Sequence, residues 1–136
     1  MNFKRFDKKP KGGTAMAFKI PYAVRLAVET VFYPYIRTRI GLTLIDAYFH
    51  CIEKAWALCE TDRPRFLRLA VSSLTTATGE AKGKNNVVMT EGINEKVKAV
   101  QDILRVKDKR VSFIVCVAVG AALWREEFGT VENTSD

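Results

Sequence analysis

Apolar positions recur at three- and four-residue spacings along most of the chain, the mark of amphipathic helices. Pro21 suits an early helical position. Tyr22, Leu26, Val28 and Phe32 extend a first helix towards Pro34, which should end or kink it. Across residues 42–59, steps of about 100° gather Thr43, Asp46, His50, Glu53 and Lys54 into one narrow polar stripe. Everything opposite is apolar over about 200°, wider than one core contact needs, so this helix is expected to be covered on more than one side.

A third helix is announced by Thr61, Asp62, Arg63 and Pro64, with Asp62 as N-cap and Pro64 in the first turn. Phe66, Leu67, Ala70, Leu74 and Ala77 form its inner face; Arg65, Arg68, Ser72, Thr75 and Thr76 fall opposite, with Leu69 the exception. Residues 79–89, which hold Gly79, Gly83, Asn85 and Asn86, read as a loop. Thr90 caps a fourth helix whose apolar stripe is Ile93, Val97, Val100 and Leu104.

After the break at Lys107, Asp108, Lys109 and Arg110 comes the apolar run 111–124. Its β-branched residues would suit a buried strand. The pattern continues through Glu127, too far for one strand, so helix is the better reading. A helix apolar all round must be buried from several directions, which in so small a domain points to an oligomer or a partner.

Length changes the picture little: 136 residues, 48% of them apolar, make one domain with one core. Residues 1–14 are expected to be a flexible basic arm, 15–128 the helical domain, and 129–136 a disordered acidic tail. Charge changes it more. The net charge is +7, with +5 in residues 1–20, +5 in 21–124 and −3 in 125–136. Positive charge therefore runs through the folded body, and a polyanionic partner is favoured. The longest apolar run is too short for a comfortable membrane span of about 20 residues, and the amino terminus lacks the apolar stretch of a secretory signal. No membrane partner and a cytoplasmic location are expected.

Catalytic chemistry finds little to work with. His50 is the single histidine, and with Asp46 and Glu53 one turn away its ordinary role is a polar contact within the helix. Cys51, Cys59 and Cys116 lack Cys-x-x-Cys spacing and sit among apolar neighbours, so they read as structural thiols rather than metal ligands or disulfides. The stretch from Gly79 to Lys84 follows a helix and lacks the phosphate-loop pattern. No enzyme activity, cofactor or metal is expected. A helical enzyme of the chorismate-mutase kind, using Arg and Lys on an anionic substrate, is the distant alternative.

The Tyr33-Pro34 turn with Arg37 and Arg39, and the run Pro64-Arg65-Phe66-Leu67-Arg68-Leu69-Ala70-Val71-Ser72-Ser73-Leu74, carry a resemblance. Over residues 22–80 the chain resembles the four-helix-bundle family of ribosomal-RNA intervening-sequence proteins and diversity-generating retroelement accessory proteins. The resemblance implies an all-α, antiparallel four-helix bundle, a homo-oligomer such as a ring of five, and a basic surface that engages RNA or a reverse transcriptase. The basic arm and the interruption at Lys107-Asp108 depart from the family's pattern and allow an extra or broken C-terminal helix.

The basic side chains remain as the functional signal. Lys4, Arg5, Lys8, Lys9 and Lys11 lie in the arm; Arg37 and Arg39 stand beside Tyr33 and Tyr35; Arg65 and Arg68 share a helix face with hydroxyls; Lys82 and Lys84 lie in a loop. Charged forks next to hydroxyls suit phosphate contacts, and basic residues among aromatics suit single strands. The expectation is a non-enzymatic nucleic-acid-binding subunit, RNA favoured, that serves a polymerase or other large protein. The alternative is an adaptor that docks its apolar C-terminal helix on a partner.

Overall fold

Helix ends fall where side chains can satisfy the free backbone groups. The computed structural model describes residues 3–6, 14–36, 42–77 and 85–134. In chain order the elements are β1 (Thr14–Phe18), α1 (Tyr22–Ile36), α2 (Leu44–Thr61), α3 (Arg63–Ala77), β2 (Asn85–Met89), α4 (Glu91–Leu104) and α5 (Lys109–Thr134). Thr43 caps α2 in a reciprocal box: its hydroxyl accepts from the Asp46 N–H at 3.1 Å, and Asp46 Oδ2 accepts from the Thr43 N–H at 3.0 Å. Asp62 closes α2 through its N–H to the Leu58 carbonyl and opens α3 by accepting from the Arg65 N–H. Thr90 caps α4 as expected, accepting from the Ile93 N–H at 3.1 Å. Pro34 does not end α1, which runs two residues further to Ile36.

The apolar run 111–124 is helical, and α5 extends to Thr134 through most of the segment expected to be a tail. It touches α1, α2, α3 and α4 alike. Phe113, Val115, Cys116, Val117, Val119 and Ala121 are all buried by these neighbours. The inference from an all-round apolar helix to a second chain therefore does not follow, because four helices of the same chain cover it. The wide apolar arc of α2 meets the same fate, with Tyr48, Ile52, Ala55 and Cys59 packed against other parts of this molecule. Ser112, buried within α5, donates to the Val97 carbonyl at 2.7 Å, so its burial leaves no orphan hydroxyl.

The closest approach in the core is between α2 and α5. A Cβ at Gly120 would lie 1.9 Å from the Cys51 carbonyl oxygen. Only a residue without a side chain lets the two helix backbones meet there. The architecture is thus helical, with α5 at its centre, and it carries a small addition the periodicity missed. β1 and β2 pair antiparallel, Thr14 opposite Met89 and Phe18 opposite Asn85. Val87 and Met89 point into the core while Val88 is exposed, the alternation of a half-buried strand.

Residues 3–6 do not run free. Phe3 is buried within an aromatic nest, with ring centroids 4.9 Å from Phe32, 4.8 Å from Tyr35, 5.0 Å from His50 and 5.1 Å from Trp124. Phe6 packs edge-on against Phe49 and His50. The polar stripe of α2 is what holds this segment. His50 Nε2 donates to the Lys4 carbonyl at 2.7 Å, which fixes the proton on that nitrogen, and Asp46 Oδ1 accepts from the Phe6 N–H at 3.1 Å. Two side chains of the polar stripe are therefore buried beneath the segment.

Candidate nucleic-acid interface

Five helices arranged in this way leave the basic side chains on their rims. On α3, Phe66, Ala70 and Ala77 are buried inward, whereas Arg63, Arg68, Val71, Ser72 and Thr75 face solvent. The helix has three arginines and no carboxylate. Arg63 and Arg65 sit in its first turn, where the helix dipole already places positive charge, so they cost stability there instead of adding it. Asp62 offsets part of that cost as the cap.

Each arginine has a different degree of freedom. Arg63 donates through Nε to the Cys59 carbonyl at 3.0 Å and so helps close α2. Arg65 is held by α5, with Nη2 at 3.1 Å from Glu126 Oε2. Arg68 makes no ion pair among the described residues. The expected partnership of Arg65 and Arg68 is therefore unequal: one side chain is occupied by a glutamate and the other is available.

Lys4 and Arg5 lie between the two phenylalanine anchors and both are exposed. Arg5 Nε stands 4.0 Å from the buried Asp46 Oδ2, and Lys4 Nζ lies 5.7 Å from the Phe6 ring centroid. The docked backbone thus presents two cations at a fixed place on the α2 side. Lys8, Lys9, Lys11, Arg37, Arg39, Lys82 and Lys84 lie outside the described residues.

A further basic group follows α4, where sequence reasoning saw only an interruption. Arg105 adopts a left-handed conformation (φ 55°) to end the helix, which favours Gly. Lys109 Nζ donates to Asn94 Oδ1 at 3.0 Å, and Arg110 pairs with Asp108 at 2.8 Å. The Arg110 hydrogen bond holds the Asp108 carboxyl below its ordinary range. Arg105 and Lys107 are exposed without a carboxylate partner among the described residues. Their signal was present in the run of basic residues but was read as a helix boundary.

The candidate reactive groups are placed for structure. Within the helix His50 Nδ1 lies 3.8 Å from Glu53 Oε1, the contact expected of it, while its other nitrogen serves the Lys4 backbone. Cys51, Cys59 and Cys116 are free thiols buried in the core. Burial pushes the Cys116 thiol up to about 12 and raises that of Cys51 further, so neither is a nucleophile at neutral pH. Among the described residues no three His, Cys, Asp or Glu side chains are grouped to hold a metal, and no helix is long and apolar enough to cross a membrane.

Comparison with family models, with characterised proteins and with solved structures gave no match.

Proposed function

We propose that this protein is a non-enzymatic nucleic-acid-binding subunit that grips an RNA backbone through the outer face of α3. The observation that carries this reading is the outer face of α3, a helix with no carboxylate of its own, where Arg68, without an ion pair among the described residues, stands with the exposed hydroxyl of Ser72. A guanidinium fork beside hydroxyl donors is the set that phosphate oxygens require. Lys4, Arg105 and Lys107, without a carboxylate partner among the described residues, and Arg5, 4.0 Å from Asp46, add cations elsewhere on a chain of net charge +7. The resemblance of residues 22–80 supports the same reading and names a reverse transcriptase or a comparable ribonucleoprotein core as the larger assembly. The self-association that the resemblance implies has to use a surface other than the buried apolar run of α5. The adaptor reading loses the apolar core of α5, Phe113 to Val119, as its docking element, since those side chains are covered by α1 to α4.

The test is binding of a fluorescent single-stranded RNA across a salt series. Arg68→Glu is expected to weaken binding at least tenfold and to lower the slope of log affinity against log salt by about 0.7 for each phosphate no longer neutralised. Lys4→Glu with Arg5→Glu is expected to act in the same direction. Affinity unchanged in both variants, with helical content preserved, overturns the proposal.

A further inference from the structure

A groove of about 730 Å³ lies between α1 and α5, and it continues past Thr30 and Arg125 into a second section of about 440 Å³. Its floor is made of short side chains in two rows, Ala23 and Ala27 on α1 and Ala118 and Ala122 on α5. Each row is spaced by one helical turn, so the floor is a shallow trough along both helices. Beside it, α1 exposes Tyr22 (69%), Leu26 (45%) and Tyr33 (52%) on one stripe, three of the five large apolar residues most exposed in the described chain. Apolar surface gathered in this way on one helix is the kind that a partner covers.

Charge decides what covers it. Arg125 borders both sections of the groove, is exposed, and makes no ion pair among the described residues. Among the described side chains of α1 and α5, Glu29 pairs with Arg25 at 2.7 Å, Glu126 with Arg65 at 3.1 Å, and Glu127 with Lys54. A second copy seated symmetrically on this groove would bring Arg125 towards its own duplicate, and the acid that lines the groove, Glu126, is already held by Arg65. The missing complement is a carboxylate from a different chain.

We infer that the α1/α5 groove docks an amphipathic helix of a partner protein, one that carries an Asp or Glu beside its apolar stripe to meet Arg125. Rows of small side chains let the ridge of a third helix settle between two others, and an amphipathic helix laid in an apolar groove is a common mode of recognition. The partner's apolar stripe covers Leu26 and the alanine floor, and its carboxylate forms a two-pronged pair with the guanidinium. This interaction stands without the nucleic-acid reading, because no residue of α3 lines the groove and Arg68 has no part in it.

The experiment is selection of a displayed library of helical peptides on the full chain, with counter-selection on Ala122→Trp, which fills the trough from an exposed position. Recovered peptides are expected to be amphipathic and to carry Asp or Glu next to the apolar stripe. Their affinity is expected to fall at least tenfold on Arg125→Glu and to be lost on Ala122→Trp and on Ala27→Trp, which fills the trough from the opposite wall. A peptide with Lys in place of its acid is expected to regain binding to Arg125→Glu. RNA binding by the two Trp variants is expected to stay at the parent level, which separates failure here from failure of the nucleic-acid proposal. Peptides indifferent to the Trp fillings, or recovered without an acidic preference, overturn the inference. So does a concentration-dependent dimer that either Trp variant dissolves, because the occupant is then a second copy.

Discussion

Tyr48 is fully buried on α2, yet its hydroxyl has no hydrogen-bond partner among the described residues. A buried hydroxyl without a partner costs about 1–3 kcal/mol of desolvation, and burial raises its ionisation well above the ordinary tyrosine range. Tyr48→Phe is therefore expected to leave stability unchanged or to raise it by about 1 kcal/mol, read as a higher urea midpoint at constant slope. A loss of more than about 1 kcal/mol would show that the hydroxyl is satisfied in solution. The thiols give a second expectation. Cys116 rises from an unfolded value of 9.0 to about 12 because burial disfavours the thiolate. Between those pH values the unfolded chain releases this proton and the folded one keeps it. Stability is present in full below pH 9 and falls above it by about 1.4 kcal/mol per pH unit for each such thiol. Cys116→Ala should flatten the alkaline slope by one thiol's share, measured by urea unfolding from pH 8.5 upward. That the cysteines are apolar fillers was legible from their neighbours. That Asp46 and His50 are buried was not, because the covering group is a backbone about forty positions away in sequence.

At the scale of the elements, the five helices were legible because each carries its own evidence: a 3.6-residue stripe in α1 to α4, capping side chains at Asp62 and Thr90, and in α5 an apolar run too long for one strand. β1 and β2 were not. Each is five residues long, and the register that makes them strands joins positions about seventy apart, so neither contains the reason for its own conformation. The candidate interface divides in the same way. The arginine face of α3 follows from helical spacing, whereas the capture of Arg65 by Glu126 depends on where α5 ends up. The most exacting contact between elements is Gly120 on the Cys51 carbonyl. Gly120→Ala improves helix propensity by about 1 kcal/mol, yet it forces two helix backbones apart. A net loss of at least about 3 kcal/mol is expected, with a fall in thermal midpoint followed by circular dichroism at 222 nm. Gly92, where an added Cβ meets nothing within 4 Å, is the control: Gly92→Ala should be neutral or stabilising.

For the molecule as a whole, the segment at residues 3–6 ties three helices together. Phe3 contacts Phe32 and Tyr35 of α1, His50 of α2, and Trp124 and Phe128 of α5. Phe3→Ala is expected to cost about 3 kcal/mol, as for other buried phenylalanines. It should also shift Trp124 emission to the red as water enters the nest, whereas a removable tail would change neither. The order of synthesis gives this seam a further meaning. Phe128, the last wall of the nest around Phe3, leaves the ribosome 125 residues after it. At about 5–20 residues per second the interval is about 6–25 s. Throughout that time Phe3 has no finished place to bury, although Phe6 can already meet Phe49 and His50, so its nest closes only when α5 arrives.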